Sequence, residues 1–174
     1  TDGPDADKLV AAAKAALEKV GPQTMLTDGI AQAYRQGVDR MGKSNAVKPV
    51  LTTDSAERNA SPNLYETTAD AFLGEDDLAE EVFGPLLSVI TWKDVDDVVE
   101  MANDSHYGLA AFVFSKNLDD ALRTAHRIDS GWVQVNQGGG QIPGQSYGGM
   151  KESGVGREAS LEGMLEGFTQ IKQV

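Results

Sequence analysis

The middle of the chain alternates between short apolar runs and amphipathic helical repeats. Of all features of the sequence, this alternation restricts the possible fold classes the most. The apolar runs at 86–92, 110–115 and 132–136 are rich in β-branched and aromatic residues, as buried strands are. Between them, behind the capping residues Asp94 and Asn117, apolar residues recur at i, i+3, i+4 and i+7. Strands that alternate with helices over short connections predict right-handed βαβ crossovers. The predicted fold class is therefore α/β, with a mostly parallel sheet and flanking helices.

The first half of the chain predicts further helices and strands. A helix over 27–41, capped by Thr27 or Asp28, follows from its polar start and its apolar spacing. Two short β-like runs, 48–53 and 63–67, come next, and an acidic segment with short helical turns follows them. The apolar face of the helix over 27–41 is predicted to consist of Ile30, Ala33, Tyr34 and Val38.

The last part of the chain is rich in glycine. A long glycine-rich loop over 137–156 is predicted, and loops of this length inside a compact domain are usually functional or disordered. A short helix over 158–165 and a final strand over 168–174 are predicted to follow. Residues 154–159 match the G-x-G-x-x-A dinucleotide fingerprint, but no buried strand precedes them and too few residues follow for the acidic partner. They predict a turn into a helix, not a phosphate site.

Composition excludes several classes of function. The formal net charge of −12 argues against nucleic acid or an anionic membrane as the partner. The chain has no cysteine and two histidines, so disulfides, thiolate chemistry and a histidine metal site are not expected. No apolar run approaches the roughly twenty residues that a membrane-spanning helix needs. We expect a cytoplasmic protein without a metal site.

Two adjacent carboxylates lead into an aromatic residue and a Gly-Pro turn at 80–85, directly before an apolar run. Gly-Pro ends the preceding element, and the run that follows is predicted to be a buried strand. Glu81 and Phe83 would then lie at the mouth of a strand, where α/β proteins commonly bind ligands. The alternative is a solvated helix end followed by an ordinary turn.

Three polar residues near the glycine-rich loop each allow two interpretations. Asn136, at the carboxyl end of a predicted strand, could face a ligand or simply form the turn. Lys151 and Arg157 could anchor a substrate carboxylate, or they could form structural ion pairs with Glu152 or Glu158. The ion pairs are the expected arrangement.

Five motifs, taken in this order, resemble the aldehyde dehydrogenase superfamily. They are E-E-V-F-G-P at 80–85, A-N at 102–103, Y-G-L-A-A at 107–111, G-W-V-Q-V-N at 131–136 and G-G-M-K-E-S-G-V-G-R-E at 148–158. The resemblance implies a fold of the aldehyde dehydrogenase catalytic-domain type, incomplete in this chain. Residues 22–27 and 29–38 resemble the branch that oxidises 2,5-dioxovalerate (α-ketoglutaric semialdehyde).

The resemblance also implies roles for individual residues. Glu81 would bind the ribose hydroxyls of the nicotinamide nucleotide, and Phe83 would lie beside the nicotinamide ring. A carboxylate can accept two hydroxyl hydrogen bonds, and an aromatic ring can confine a planar one. Gly140, Gln141 and Tyr147 would line the substrate tunnel, with Asn136 as a further substrate-binding residue. Family members that act on simple apolar aldehydes often have aromatic groups in this lining, so Gly140 and Gln141 hint at a polar or larger aldehyde.

The implied activity is NAD- or NADP-dependent oxidation of an aldehyde to a carboxylic acid. In that family a cysteine thiolate attacks the aldehyde, the thiohemiacetal passes hydride to the nucleotide, and water hydrolyses the thioester. This chain has no cysteine, so we expect no catalytic residue in it and no activity from it alone. Residues 1–174 are predicted to be part of a catalytic domain, without the nucleotide-binding domain or the nucleophile.

The expected partners are a small aldehyde, the remainder of the enzyme subunit and, in the complete enzyme, further copies in a homo-oligomer. No nucleic acid or membrane partner is expected. The alternative is a non-catalytic binding or assembly module derived from the same fold.

Overall fold

A computed structural model describes residues 3–173, and the chain divides into two compact units, Thr1–Lys93 and Asp94–Val174. The helices of the first unit are α1 (Pro4–Leu17), α2 (Asp28–Lys43), α3 (Ala69–Leu73) and α4 (Asp76–Ala79). Its strands are β1 (Gln23–Thr24), β2 (Lys48–Leu51), β3 (Asn59–Ala60), β4 (Asn63–Thr68) and β5 (Leu86–Thr91).

The first unit is built around a three-stranded sheet in the order β2-β4-β5. Strand β4 is central; it pairs antiparallel with β2 and parallel with β5. Because parallel neighbours need a crossover, the chain leaves β4 through α3 and α4 before it returns as β5. Leu64 and Tyr65 of β4 are almost fully buried, and Tyr65 packs with Met41, Val47 and Leu78 in the apolar core.

Helix α2 covers this core. Its N-cap is Thr27, whose hydroxyl oxygen accepts a hydrogen bond from the backbone N–H of Ile30 at 3.2 Å. Tyr34 is fully buried, as predicted, but the prediction was wrong for Ala33, which is exposed. The buried face of the helix alternates small and large residues, Ala31, Tyr34, Gly37 and Met41.

In the second unit the helices are α5 (Val95–Asn103), α6 (Leu118–Arg127) and α7 (Leu161–Phe168). The strands are β6 (Tyr107–Gly108), β7 (Ala110–Val113), β8 (Trp132–Val135) and β9 (Met150–Lys151). Strands β7 and β8 are parallel and joined through α6, which is one of the two predicted βαβ units. The other, from 86–92 to 110–115, was predicted wrongly, because among the described residues β5 pairs with β4 and not with β7. Asn117 caps α6, its side-chain oxygen accepting from the backbone N–H of Asp119 at 3.1 Å. Within residues 3–173 the two longest strand pairings are both parallel, and the α/β class is confirmed.

The end of the chain differs from the prediction. Helix α7 starts at Leu161 because Ser160 is its N-cap, with the hydroxyl oxygen accepting from the backbone N–H of Gly163 at 3.0 Å. The predicted strand over 168–174 is wrong: Phe168 ends α7, residues 169–173 are not in a strand, and position 174 lies outside the described residues. Thr169 turns its hydroxyl back to the Leu165 carbonyl at 2.7 Å, which continues the helical turn.

Strands β6 and β9 form an antiparallel pair that was not predicted, because each has only two residues.

No helix in the described part of the chain has both the length and the apolar character needed to cross a bilayer.

Replacing Leu64 and its register partner Leu87 by alanine tests the position of the core. Leu64 is fully buried, whereas Leu87, its neighbour across the β4–β5 pair, is 45% exposed. We expect Leu64→Ala to lower the free energy of unfolding by about 2–5 kcal/mol, and Leu87→Ala by less than roughly 1 kcal/mol. Urea unfolding of both variants measures the difference. Equal losses would contradict the placement of the core on β4.

Candidate functional site

The stretch 80–85 joins α4 to β5 and lies beside a pocket of about 490 Å³. Met41, Phe72 and Leu78 contribute apolar side chains to the pocket lining. Residues 80–84 also line the pocket, as part of the continuous segment 78–84. The pocket therefore combines an apolar surface with the two carboxylates that the sequence brings together.

The two carboxylates have different environments. Glu80 forms an ion pair with Arg40, with 2.8 Å between the carboxylate oxygen and Nη1. Glu81 is exposed, and within residues 3–173 no protein group forms a hydrogen bond or ion pair with its carboxylate. The Phe83 ring is 64% exposed. Glu80 is exposed as well, but its carboxylate is paired with Arg40, and Glu81 and Phe83 are the exposed side chains of the stretch without such a pairing.

Tyr34 of α2 packs beneath the turn that ends this stretch. Its hydroxyl donates to the Ser61 carbonyl at 2.6 Å and accepts from Asn63 Nδ2 at 2.9 Å. A Cβ at Gly84 would lie 2.3 Å from Cδ2 of the ring, so only glycine allows this approach. Burial raises the pKa of the Tyr34 phenol above 10.0, although the hydrogen bond from Asn63 acts in the opposite direction.

In the second unit, Tyr147 anchors the glycine-rich loop. It is half-buried, and its ring meets Trp132 edge to face with 5.3 Å between ring centroids. Its backbone forms a two-way bridge with Glu158: the Tyr147 N–H donates at 2.8 Å, and its carbonyl accepts at 2.6 Å. Both contacts anchor the glycine-rich loop at Tyr147.

Asn136, Gly140 and Gln141 lie elsewhere along this loop. The Asn136 side chain accepts from the Ser115 N–H and donates to the Ser115 carbonyl, both at 2.9 Å, and its backbone φ is 53°. Its amide is therefore used to close the ends of β7 and β8, which favours the turn interpretation. Gly140 and Gln141 are exposed, and a Cβ at Gly140 would meet nothing within 4 Å.

The expected ion pairs of the loop cations do not form, and this prediction was wrong. Lys151 Nζ donates to the carbonyl oxygens of Asn103 and Ser105 at 2.5 and 3.0 Å. Arg157 Nη1 donates to the Gly149 carbonyl at 2.7 Å. Tight backbone turns leave carbonyls without partners, and the long cationic side chains satisfy them. Both cations serve to hold the backbone.

Metal binding finds no support in the described residues. Within 3–173 no group of three or more His, Asp or Glu side chains could hold a metal ion.

The aldehyde dehydrogenase family model matches residues 35–174. This chain belongs to the aldehyde dehydrogenase family. A hydroxyisobutyraldehyde dehydrogenase of Mycolicibacterium austroafricanum is 42% identical over 95 residues, which are 55% of this chain and 19% of that protein. The matched part of this chain therefore spans about a fifth of the length of that curated relative.

Solved aldehyde dehydrogenases share the fold. A salicylaldehyde dehydrogenase from Pseudomonas putida G7, in complex with salicylaldehyde, is 25% identical with a TM-score of 0.81. The match covers 96% of this chain and 36% of that one. A betaine aldehyde dehydrogenase variant from Staphylococcus aureus, in complex with NAD+, is 26% identical with a TM-score of 0.76. That match covers 92% of this chain and 35% of the betaine aldehyde dehydrogenase chain. Aldehyde dehydrogenases are oxidoreductases that act on aldehydes.

The sequence predictions overlooked the contribution of α2 to this site. Tyr34 was predicted only as a core residue, and Gly37 was not singled out. A glycine inside an amphipathic helix is the signal that could have been used, because it costs about 1 kcal/mol relative to alanine. Such a glycine indicates that another segment approaches the helix closely.

The Tyr34 phenol predicts a loss of stability in alkaline solution. Its folded-state pKa is raised above 10.0 by burial, so its contribution is fully present below pH 10.0 and is lost as pH rises through the raised value. Burial raises the pKa of Tyr65 in the same direction. The midpoint of urea unfolding is measured below and above pH 10.0, and for the unsubstituted chain it should fall as the pH rises. We expect this fall to be smaller in Tyr34→Phe.

Tyr107→Phe is the matched control, since Tyr107 is 51% exposed. It should retain the alkaline fall of the unsubstituted chain. If Tyr34→Phe showed the same fall of the urea midpoint as the unsubstituted chain, the Tyr34 phenol would not be the source of the alkaline loss of stability.

Proposed function

We propose that this chain forms part of the catalytic domain of an NAD- or NADP-dependent enzyme that oxidises an aldehyde to a carboxylic acid. The observation that carries the proposal is the family match over 35–174, a range that contains Glu81, Phe83 and the whole glycine-rich loop. The complete enzyme is proposed to be a cytoplasmic homo-oligomer, in which the remainder of the subunit is the partner of this chain.

On the cofactor side, Glu81 is proposed to accept hydrogen bonds from the hydroxyls of the nicotinamide ribose. Phe83 would lie beside the nicotinamide ring. The exposed, unpaired carboxylate and the exposed ring support this assignment, as does the NAD+ complex of the Staphylococcus aureus relative. The bound nucleotide would accept the hydride, and these two residues would orient it.

On the aldehyde side, Gly140, Gln141 and Tyr147 are proposed to line the path of the substrate. Asn136 would contribute by setting where this loop begins, because its amide is bonded to Ser115. Gln141 is exposed and can offer both a donor and an acceptor, which suits a polar aldehyde. The resemblance of residues 22–27 and 29–38 supports 2,5-dioxovalerate as that aldehyde.

The chemical step requires groups outside this chain. Formation of a thiohemiacetal and a thioester needs a cysteine thiolate, and the chain has none. The chain is therefore proposed to orient the nucleotide and the aldehyde, while the remainder of the subunit supplies the nucleophile and the general base.

The isolated 174-residue chain should not reduce NAD+ or NADP+ with any aldehyde. The measurement is the absorbance of NADH or NADPH during incubation with a panel that includes 2,5-dioxovalerate. The complete enzyme is the positive control. Turnover by the pure chain would contradict the division of labour proposed above.

Glu81→Gln in the complete enzyme tests the cofactor role. The amide replaces a charge-assisted acceptor, so we expect KM for the nucleotide to rise about tenfold, in line with the 1.5–3 kcal/mol typical of hydrogen bonds to charged groups. Glu80→Gln is the comparison. Its effect should be several times smaller, because the substituted amide can still accept from Arg40. Equal effects would indicate a general response to charge and would contradict the specific role of Glu81.

A further inference from the structure

Helix α2 contacts the stretch 80–85 at every second residue. The three contacts run in opposite directions along the two segments: Arg40 with Glu80, Gly37 with Val82, and Tyr34 with Gly84. On the helix the contacting residues are three positions apart, and on the stretch they are two apart. These are the spacings of one helical row and of one face of an extended chain.

The Gly37 contact is the closest of the three. A Cβ at Gly37 would lie 2.5 Å from Cγ1 and 2.8 Å from Cγ2 of Val82, distances that real Cβ contacts do not show. Gly37 is buried and lies well inside α2, where alanine is intrinsically the better residue. The missing side chain at position 37 is therefore the space that Val82 occupies.

The Tyr34 contact fixes the far end of the stretch. The ring lies against Gly84, and the Pro85 carbonyl is 3.3 Å from the hydroxyl. The same carbonyl accepts from the backbone N–H of Asn63 at 2.9 Å, which ties it to the start of β4. At the near end, the long Arg40 side chain reaches Glu80 at 2.8 Å.

Alternate residues of an extended segment point to opposite sides. Glu80, Val82 and Gly84 contact α2, so the side chains of Glu81 and Phe83 between them are expected on the opposite side. Both are exposed, whereas Val82 is partly buried. We propose that Gly37 is a positioning residue for the nucleotide site: it lets Val82 seat on α2, and this seating aims Glu81 and Phe83 at the nucleotide. The proposal rests on the proposed function, because it assumes that Glu81 and Phe83 bind the nucleotide.

Gly37→Ala in the complete enzyme displaces Val82 and so tests the proposal. Misplacement of a binding group by about 1 Å can cost up to about a hundredfold, and we expect KM for the nucleotide to rise about tenfold while kcat changes less than about twofold. Val82→Ala removes the methyl groups that the new Cβ would meet. The double variant Gly37→Ala/Val82→Ala should therefore recover a KM within about twofold of the unsubstituted enzyme.

Gly42→Ala is the matched control on the same helix. A Cβ there would be 3.7 Å from the Tyr65 hydroxyl oxygen, an ordinary contact, so KM for the nucleotide should not change. If Gly37→Ala yields no folded enzyme, Val82→Ile enlarges the same contact from the other side and should raise KM in the same direction. Because a merely structural role would lower thermal stability without a selective change in KM, both quantities are measured.

Glu81→Gln, assayed in parallel, separates the two proposals. If Glu81→Gln leaves KM unchanged, the proposed cofactor role is wrong and the positioning role fails with it. If Glu81→Gln raises KM but Gly37→Ala and Val82→Ile do not, only the positioning proposal is overturned. A rise in Gly37→Ala that the double variant does not reverse also overturns it, since the effect would then not pass through Val82.

Discussion

The hydroxyl and the ring of Tyr34 together connect three segments that are distant in the sequence. The hydroxyl lies on α2, donates to the carbonyl of Ser61 just before β4, and accepts from Asn63 at the first residue of β4. The ring above it supports the Gly84 turn that leads into β5. Asn63 is fully buried, and its side-chain oxygen accepts from the Thr53 N–H at 3.0 Å, so its amide is satisfied on both sides. Helix, central strand and site therefore share one buried polar cluster.

The glycine-rich part of the second unit depends on a different constraint, the close approach of backbones. A Cβ at Gly131 would lie 1.7 Å from the Gly148 carbonyl oxygen, and one at Gly149 would lie 2.5 Å from Ser153. Arg157 donates to the Gly149 carbonyl within this packing, and Lys151 donates to the Ser105 carbonyl just after α5. The exposed part of the loop that contains Gly140 and Gln141 lies between Asn136, hydrogen-bonded to Ser115, and Tyr147, hydrogen-bonded to Glu158.

Local patterns account for what the sequence predicted correctly. The crossover from β7 through α6 to β8 was predictable because strand alternation, the Asn117 cap and helical spacing are all contained within a few residues. The burial of Ala31 in place of Ala33 was not, since alanine contributes little to an amphipathic pattern and the contacts of Gly37 and Met41 decide the rotation of the helix. The final strand was predicted wrongly because alternation in a short segment cannot supply the partner that a strand needs.

In the candidate site, too, local motifs were predictable and contacts between distant residues were not. The motif at 80–85 drew attention to Glu81 and Phe83, but nothing local distinguishes Glu80 from Glu81. Their difference depends on Arg40, which lies forty positions before Glu80 in the chain and is close to it only in the folded structure. Likewise, Asn136 at a strand end is ambiguous in the sequence, and the backbone of Ser115 decides how its amide is used.

The every-second-residue contact between α2 and 80–85 has a consequence for how this segment can vary. Substitution at one position alters one contact, but the insertion or deletion of a single residue would exchange the two sides of the segment. Glu81 would then turn towards the helix, and Val82 towards solvent. A change in length should therefore disturb every contact of the segment at once, whereas a substitution disturbs one, and the residue count is as much a part of the candidate site as the carboxylate.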